Sequence, residues 1–167
     1  MHDEQKQQKL EQQFWDALGS DMTVMLGIVG GEESHMRPMT AQLLDDHSNG
    51  AIWFFTSNET ELARELSGGG RSALLTFASK GHDLFATVHG ALRIDNDRAV
   101  IDKLWSPFVA AWFEHGKDDP KLTLLRMDAR EAEIWSDASS LLAGLKMLIG
   151  MDPKEEYRDK VAKVSLG

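Results

Sequence analysis

The chain has 167 residues, 42% of them hydrophobic, which suits one domain with a real core, since single domains commonly run to about 100–200 residues. Cysteine is absent, which excludes a disulfide framework, a thiolate metal site and a cysteine nucleophile. With 27 acidic against 18 basic residues, a net charge of −9, the chain lacks the dense positive face that nucleic acid or an anionic membrane requires.

The opening residues 1–13 are polar and include Asp3, Glu4, Lys6, Lys9 and Glu11. They lack the apolar stretch of a signal peptide. No later segment reaches the roughly 18 consecutive apolar residues of a membrane helix. A soluble, cytoplasmic protein is expected. Residues 5–18 read as an amphipathic helix, with Leu10, Phe14, Ala17 and Leu18 near one face and Gly19 as its stop. Residues 22–29 (MTVMLGIV) are a short apolar run ending at the turn signal Gly30-Gly31, and 36–44 return as a second strand. A polar turn at 45–50 leads into the aromatic strand 51–56 (AIWFFT). Residues 58–66 read as a helix with Asn58 as N-cap, Glu61 in the capping-box position and Gly68-Gly69-Gly70 at its end.

Two further strands, 72–78 and 84–94, flank a polar turn at 79–83, and Gly90 marks a bulge or bend. Residues 97–113 are helical in two pieces broken at Pro107, followed by a loop at 116–120. Residues 122–127 and 132–135 form a last strand, or a strand pair around Asp128-Ala129-Arg130. The apolar stretch 141–149 reads as a short packing helix, and in the charged tail Val161, Val164 and Leu166 are spaced for a partial return to the body. The organisation is thus one domain over 1–167, with an N-terminal helix at 1–19 and a helical extension and tail at 138–167. Several short strands joined by turns, with few helices between them, predict a mainly β fold with added helices, a small antiparallel barrel. A doubly wound nucleotide fold needs regular helical crossovers, which are missing.

The common small-molecule fingerprints are also missing. No Gly-x-Gly-x-x-Gly follows a strand, and Gly68 to Gly70 close a helix instead of opening one. The six histidines, His2, His35, His47, His82, His89 and His115, form no His-x-x-x-His pair, so no metal site is expected. There is no Gly-x-Ser-x-Gly elbow. Four segments carry the remaining chemistry. Pro38 holds Arg37 in an extended conformation, which suits either a flavin carbonyl or phosphate contact, or a surface arginine on an edge strand. Thr56 and Ser57, with helix-start N–H groups, suit a phosphate; taken alone, Trp53 to Asn58 is more simply a buried strand and a capped helix. Trp105, Phe108 and Trp112 are three and four residues apart and would share one helical face, as core, as dimer interface or as cofactor cover. Trp135 ends a strand, either in the core or against a ligand.

In order along the chain, these segments resemble the general stress protein branch of the pyridoxamine 5'-phosphate oxidase-like family. The resemblance is carried by Arg37-Pro38-Met39, Ile52-Trp53-Phe54-Phe55-Thr56, the acidic helix after it, Leu104-Trp105-Ser106-Pro107 and Trp112-Phe113. Gly116-Lys117-Asp118-Asp119-Pro120, Leu122-Thr123-Leu124-Leu125-Arg126 and Glu133-Ile134-Trp135 complete it, over residues 10–150. The resemblance implies a six-stranded antiparallel Greek-key split β-barrel that forms a homodimer, with flavin mononucleotide (FMN) in clefts at the subunit interface. FAD is the alternative cofactor. The implied flavin contacts are Arg37, Pro38, Met39, Phe55, Thr56 and Ser57, with Thr76 and Phe77 on the strand after the helix. Trp112 and Trp135 are candidates for the ring's surroundings, with the partner subunit as one source.

Two departures from the family bear on function. Relatives place a serine and a lysine early in the acidic helix to grip the phosphate; here the residues are Thr60 and Leu62, alternating with Glu59 and Glu61. Arg64 and Arg71 are the candidate substitutes. The vitamin B6 oxidases follow the tryptophan strand with Arg-x-His, whereas this chain has Ser136-Asp137-Ala138-Ser139-Ser140, which disfavours pyridoxine-phosphate oxidation. The implied function is an FMN-binding general stress protein, a flavin-dependent oxidoreductase with a small-molecule partner of unknown identity. The alternatives are a flavin-binding or flavin-sensing protein without turnover, and a barrel that has lost its flavin. No side chain stands out as a general acid or base, so no catalytic residue is assigned.

Overall fold

The amphipathic start of the chain becomes helix α1 (His2–Asp21) in a computed structural model that describes residues 2–31, 35–45, 49–136 and 161–167. Leu10, Phe14 and Leu18 are buried along one face, as a 3.6-residue period requires. Trp15 packs beside Phe14 with ring centroids 5.1 Å apart. The helix runs through Gly19 and ends at Met22, whose φ is 62° and whose N–H donates to the Leu18 carbonyl at 2.9 Å. A glycine weakens a helix but does not stop it; the left-handed residue does.

Seven antiparallel strands follow: β1 (Thr23–Ile28), β2 (Arg37–Thr40), β3 (Ala51–Ser57), β4 (Arg71–Ala78), β5 (Leu84–Ile94), β6 (Leu122–Ser136) and β7 (Val161–Ser165). Six of them run in the order β2-β1-β4-β5-β6-β3, and β7 is a seventh strand that pairs with β6. Gln42 and Trp53 exchange backbone hydrogen bonds of 2.7 and 2.9 Å, which links the β3 end of this order back to the segment after β2. The fold is therefore mainly antiparallel sheet with a few helices, as a split barrel is.

β6 is one continuous strand of 15 residues, not a pair around Asp128-Ala129-Arg130. Its first half pairs with β3 and its second with β7. The β5–β6 register shifts between His89 and Gly90, which oppose Glu131 and Ala129, so the extra residue is Arg130 on β6. A Cβ at Gly90 would collide with the Asp128 carbonyl oxygen, so the bulge requires glycine there. The end of the tail is a strand and not part of a helical extension: Val164 and Leu166 are buried, and Leu166 N–H donates to the Arg130 carbonyl at 2.9 Å. The helix expected at 141–149 lies outside the described residues.

Residues 97–113 do form two helices, α2 being reserved here for Glu61–Glu65. α3 (Arg98–Leu104) is capped by Asp97, and α4 (Pro107–Ala110) is capped by Ser106 with Pro107 at its first position. The break thus lies at Trp105-Ser106, because proline is well placed to begin a helix. The expected single stripe of rings is accordingly divided. Trp105 turns inward against Phe55 and Phe113, with centroids 6.3 and 6.4 Å apart, while Phe108 and Trp112 are 60% and 76% exposed.

The main core joins α1 to the inner sheet face through Phe14, Leu18, Leu26, Phe54, Leu75, Val88 and Ile134. A smaller core of Trp53, Val100, Ile101, Val109, Phe113 and Leu124 fastens α3 and α4 against β3 and β6. This second core positions the rings of α4 beside the end of β3. Among the described residues no helix is long and apolar enough to cross a membrane.

Candidate functional site

β3 is buried from Ala51 to Phe54 and then opens, with Phe55, Thr56 and Ser57 half-buried. Those three residues, Pro38 to Thr40 of β2, and Phe108, Val109, Trp112 and Phe113 around α4 enclose a cleft of about 400 Å³. A site of this size accepts a small organic molecule. Thr23, Gln42 and Thr60 complete its lining. The walls are largely apolar and aromatic, and no lining side chain among the described residues is ionisable.

The outer wall is fixed from three directions. Asp119 accepts hydrogen bonds from the amides of Lys121 at 2.9 Å and His115 at 3.1 Å. These two donors, Lys121 first, hold the Asp119 carboxyl below its ordinary value of 3.8, against an opposing effect of burial. Asn58 donates its side-chain amide to the Pro120 carbonyl at 3.0 Å, and its backbone N–H to the Lys121 carbonyl at 2.9 Å. Arg98 pairs with Asp118 at 3.0 Å, and Lys117 pairs with Asp102 at 3.1 Å. The Gly116–Pro120 segment thereby ties α3 to the end of β3, and α4 is held between them.

The polar end of the cleft is a cluster of hydroxyls at the start of α2. Thr60, not Asn58, is the N-cap: its Oγ1 accepts from Ala63 N–H at 3.2 Å and donates to the Ser57 carbonyl at 2.9 Å. Asn58 lies two residues before the cap, and its side-chain N–H donates to the Pro120 carbonyl. Ser57 Oγ accepts from Glu59 N–H at 3.2 Å, and Thr56 Oγ1 lies 3.4 Å from Thr60 Oγ1. Leu62 is 2% exposed and belongs to the main core. Arg37 flanks the cleft, its Nη2 3.9 Å from Glu61 Oε2, and its Nε is buried without a hydrogen-bond partner among the described residues. Neither Arg64 nor Arg71 lines the cleft.

Of the residues singled out in the sequence, Pro38, Met39, Phe55, Thr56, Ser57, Thr60 and Trp112 come together here, and Arg37 lies alongside. Thr76, Phe77 and Trp135 do not line this cleft in the same subunit. They border a separate groove on the far side of β1, with Met25 and Phe85. Phe77 also turns its ring into the core, edge-on to Phe14 at 6.3 Å. Thr23 borders both depressions. The sequence reading did not place Thr23, Thr40, Gln42, Val109 and Phe113 in the site. Thr40 and Gln42 continue the Pro38 run, whereas Thr23 reaches the cleft as the cross-strand partner of Thr40, a pairing that no local pattern encodes.

Residues 9–157 match the family model for pyridoxamine 5'-phosphate oxidase-like proteins. Over 143 residues, 84% of this chain and 99% of the relative, the sequence is 29% identical to general stress protein 26 of Bacillus subtilis (strain 168). The crystal structure of the general stress FMN/FAD binding protein of Xanthomonas citri is 55% identical, with a TM-score of 0.74 over 80% of this chain and 92% of that one. A structure assigned to a general stress protein 26 from Jannaschia sp. CCS1 is 30% identical, with a TM-score of 0.76 over 95% of this chain and 99% of that one.

Proposed function

The chain belongs to the pyridoxamine 5'-phosphate oxidase-like family, and from that premise we propose that its cleft binds FMN in a general stress protein that acts as a flavin-dependent oxidoreductase. The observation that carries this reading is the convergence of Pro38, Met39, Phe55, Thr56, Ser57, Thr60 and Trp112 on one cleft of about 400 Å³. The X. citri relative bears a flavin-binding name, which supports the same cofactor class. FAD is the alternative occupant.

The residues present suit a flavin. A planar ring finds apolar walls in Met39, Phe55 and Trp112, and a polar side chain finds hydroxyls at Thr56 and Ser57. The buried Arg37 Nε lacks a partner among the described residues, and a ring carbonyl would satisfy it at less cost than leaving a charged donor unpaired. When bound, the flavin supplies hydride and single-electron transfer. The protein's part is to bind and orient the ring, to exclude water through Phe108 and Trp112, and to place the Arg37 charge beside the ring's pyrimidine edge. Arg37 there would favour an anionic reduced ring. No proton carrier is assigned, because no lining side chain among the described residues is ionisable. That same feature favours the second reading, a flavin-binding protein without turnover. Anaerobic reduction of the bound flavin by a nicotinamide donor, followed by reoxidation with a defined acceptor, separates the two. The sequence after Trp135 favours a substrate other than a vitamin B6 phosphate.

A homodimer is part of the proposal. Met25 and Phe85 are 41% and 45% exposed on the outer sheet face, beside the half-buried Trp135. A second copy seated there would approach the cleft at Thr23, which borders both sites. It would also explain why Thr76 and Trp135 lie away from the cleft of their own subunit. Light scattering on the eluting protein checks the mass.

A further inference from the structure

Resting on the flavin reading, we infer that this cleft holds its ligand by the ring and is nearly indifferent to the ribityl phosphate, with Glu61 as the residue that sets this preference. A dianionic phosphate needs cations or free donors. At the polar end of the cleft several of these groups are already engaged. Thr60 uses its hydroxyl twice, on Ala63 N–H and on the Ser57 carbonyl. The Glu59 amide is taken by Ser57 Oγ and the Thr60 amide by the Ser57 carbonyl. α2 has only five residues, too short for a substantial helix dipole.

The charges are arranged the same way. Position 62 is core, so a side chain there points away from the ligand. Arg37, the cation beside the cleft, has a guanidinium nitrogen 3.9 Å from the Glu61 carboxylate. Lys121 lies 3.5 Å from Glu59. Among the described residues, Arg37 and Lys121 are thus each offset by a carboxylate that a phosphate would have to displace or tolerate. Uncharged riboflavin meets no such opposition, and it keeps every contact to the ring.

The test is a pair of fluorescence-quenching titrations, with FMN and with riboflavin, on the wild type and on Glu61→Gln. Glu61 is exposed, so its amide variant keeps the fold. In the wild type the two dissociation constants are expected to agree within about fivefold, the largest effect an exposed ion pair usually gives. Glu61→Gln should tighten FMN by about threefold or more by removing a carboxylate that opposes the phosphate, a gain of the size exposed charge pairs supply, and leave riboflavin unchanged. Wild-type FMN binding more than about tenfold tighter than riboflavin, or a variant that shifts both ligands equally, overturns the inference while leaving the flavin reading intact. Binding of neither ligand overturns both.

Discussion

Arg37 of β2 reaches Glu61 at the first turn of α2, Nη2 to Oε2 at 3.9 Å, while its Nε is buried without a partner among the described residues. One guanidinium thus bridges two elements around the cleft and still holds an unsatisfied donor. Replacing Arg37 with alanine should weaken flavin binding by about tenfold or more, as expected for losing a charge-assisted hydrogen bond. Arg37→Lys should recover only part of it, since an ammonium lacks the planar fork. Unchanged affinity in either variant removes Arg37 from the site.

Trp112 is a different kind of wall residue. Being 76% exposed, it contributes little to the fold, so Trp112→Ala should alter unfolding free energy by less than about 0.5 kcal/mol. Flavin binding should nonetheless weaken, because the ring's outer cover is lost. Thermal melts with and without FMN check both parts: the apo midpoint stays and the ligand-induced rise shrinks.

Leu62 stands where the family resemblance implies a phosphate-gripping lysine, yet it is a core residue. Leu62→Ala should cost about 2–5 kcal/mol, and Leu62→Met less than about 1.5 kcal/mol. Leu62→Lys should destabilise the protein without tightening FMN. Tighter FMN binding by a folded Leu62→Lys protein would show that this side chain can reach the cleft.

Asp119 gives a pH signature. Its folded carboxyl titrates below the ordinary value of 3.8 because the Lys121 and His115 amides stabilise the charged form. A depressed carboxyl contributes stability that is present above the unfolded value and lost as pH falls through the folded one. Asp119→Asn should therefore melt earlier than wild type at neutral pH, and the gap should close as pH drops below 3.8. A constant gap across that range would mean that the charge does not hold the loop.

Phe85 tests the assembly. Phe85→Glu places a charge on the outer face beside Met25 and Trp135 and should yield a monomer by light scattering with weakened flavin retention. A dimer of unchanged mass locates the interface elsewhere.

Much of this architecture is legible in the sequence because period-two apolar runs report strands directly. The 84–94 strand and the bulge opposite its Gly90 need only local patterning and sterics. What escapes is what depends on distant partners. The α2 cap is Thr60 and not Asn58, whose side chain is turned toward Pro120, 62 positions along the chain. Phe77 enters the core, packing edge-on to Phe14 of α1, a partner 63 positions away that strand patterning does not name. The inward turn of Leu62 follows from α2 packing on the main core, a relationship that a family motif does not contain.

The most direct measurement is the visible absorption spectrum of the purified protein after soaking in FMN and desalting. The account predicts retained flavin bands at about one per subunit, the stoichiometry of one cleft per chain. A colourless protein after this treatment would contradict the flavin-binding reading and leave the split-barrel fold as it stands.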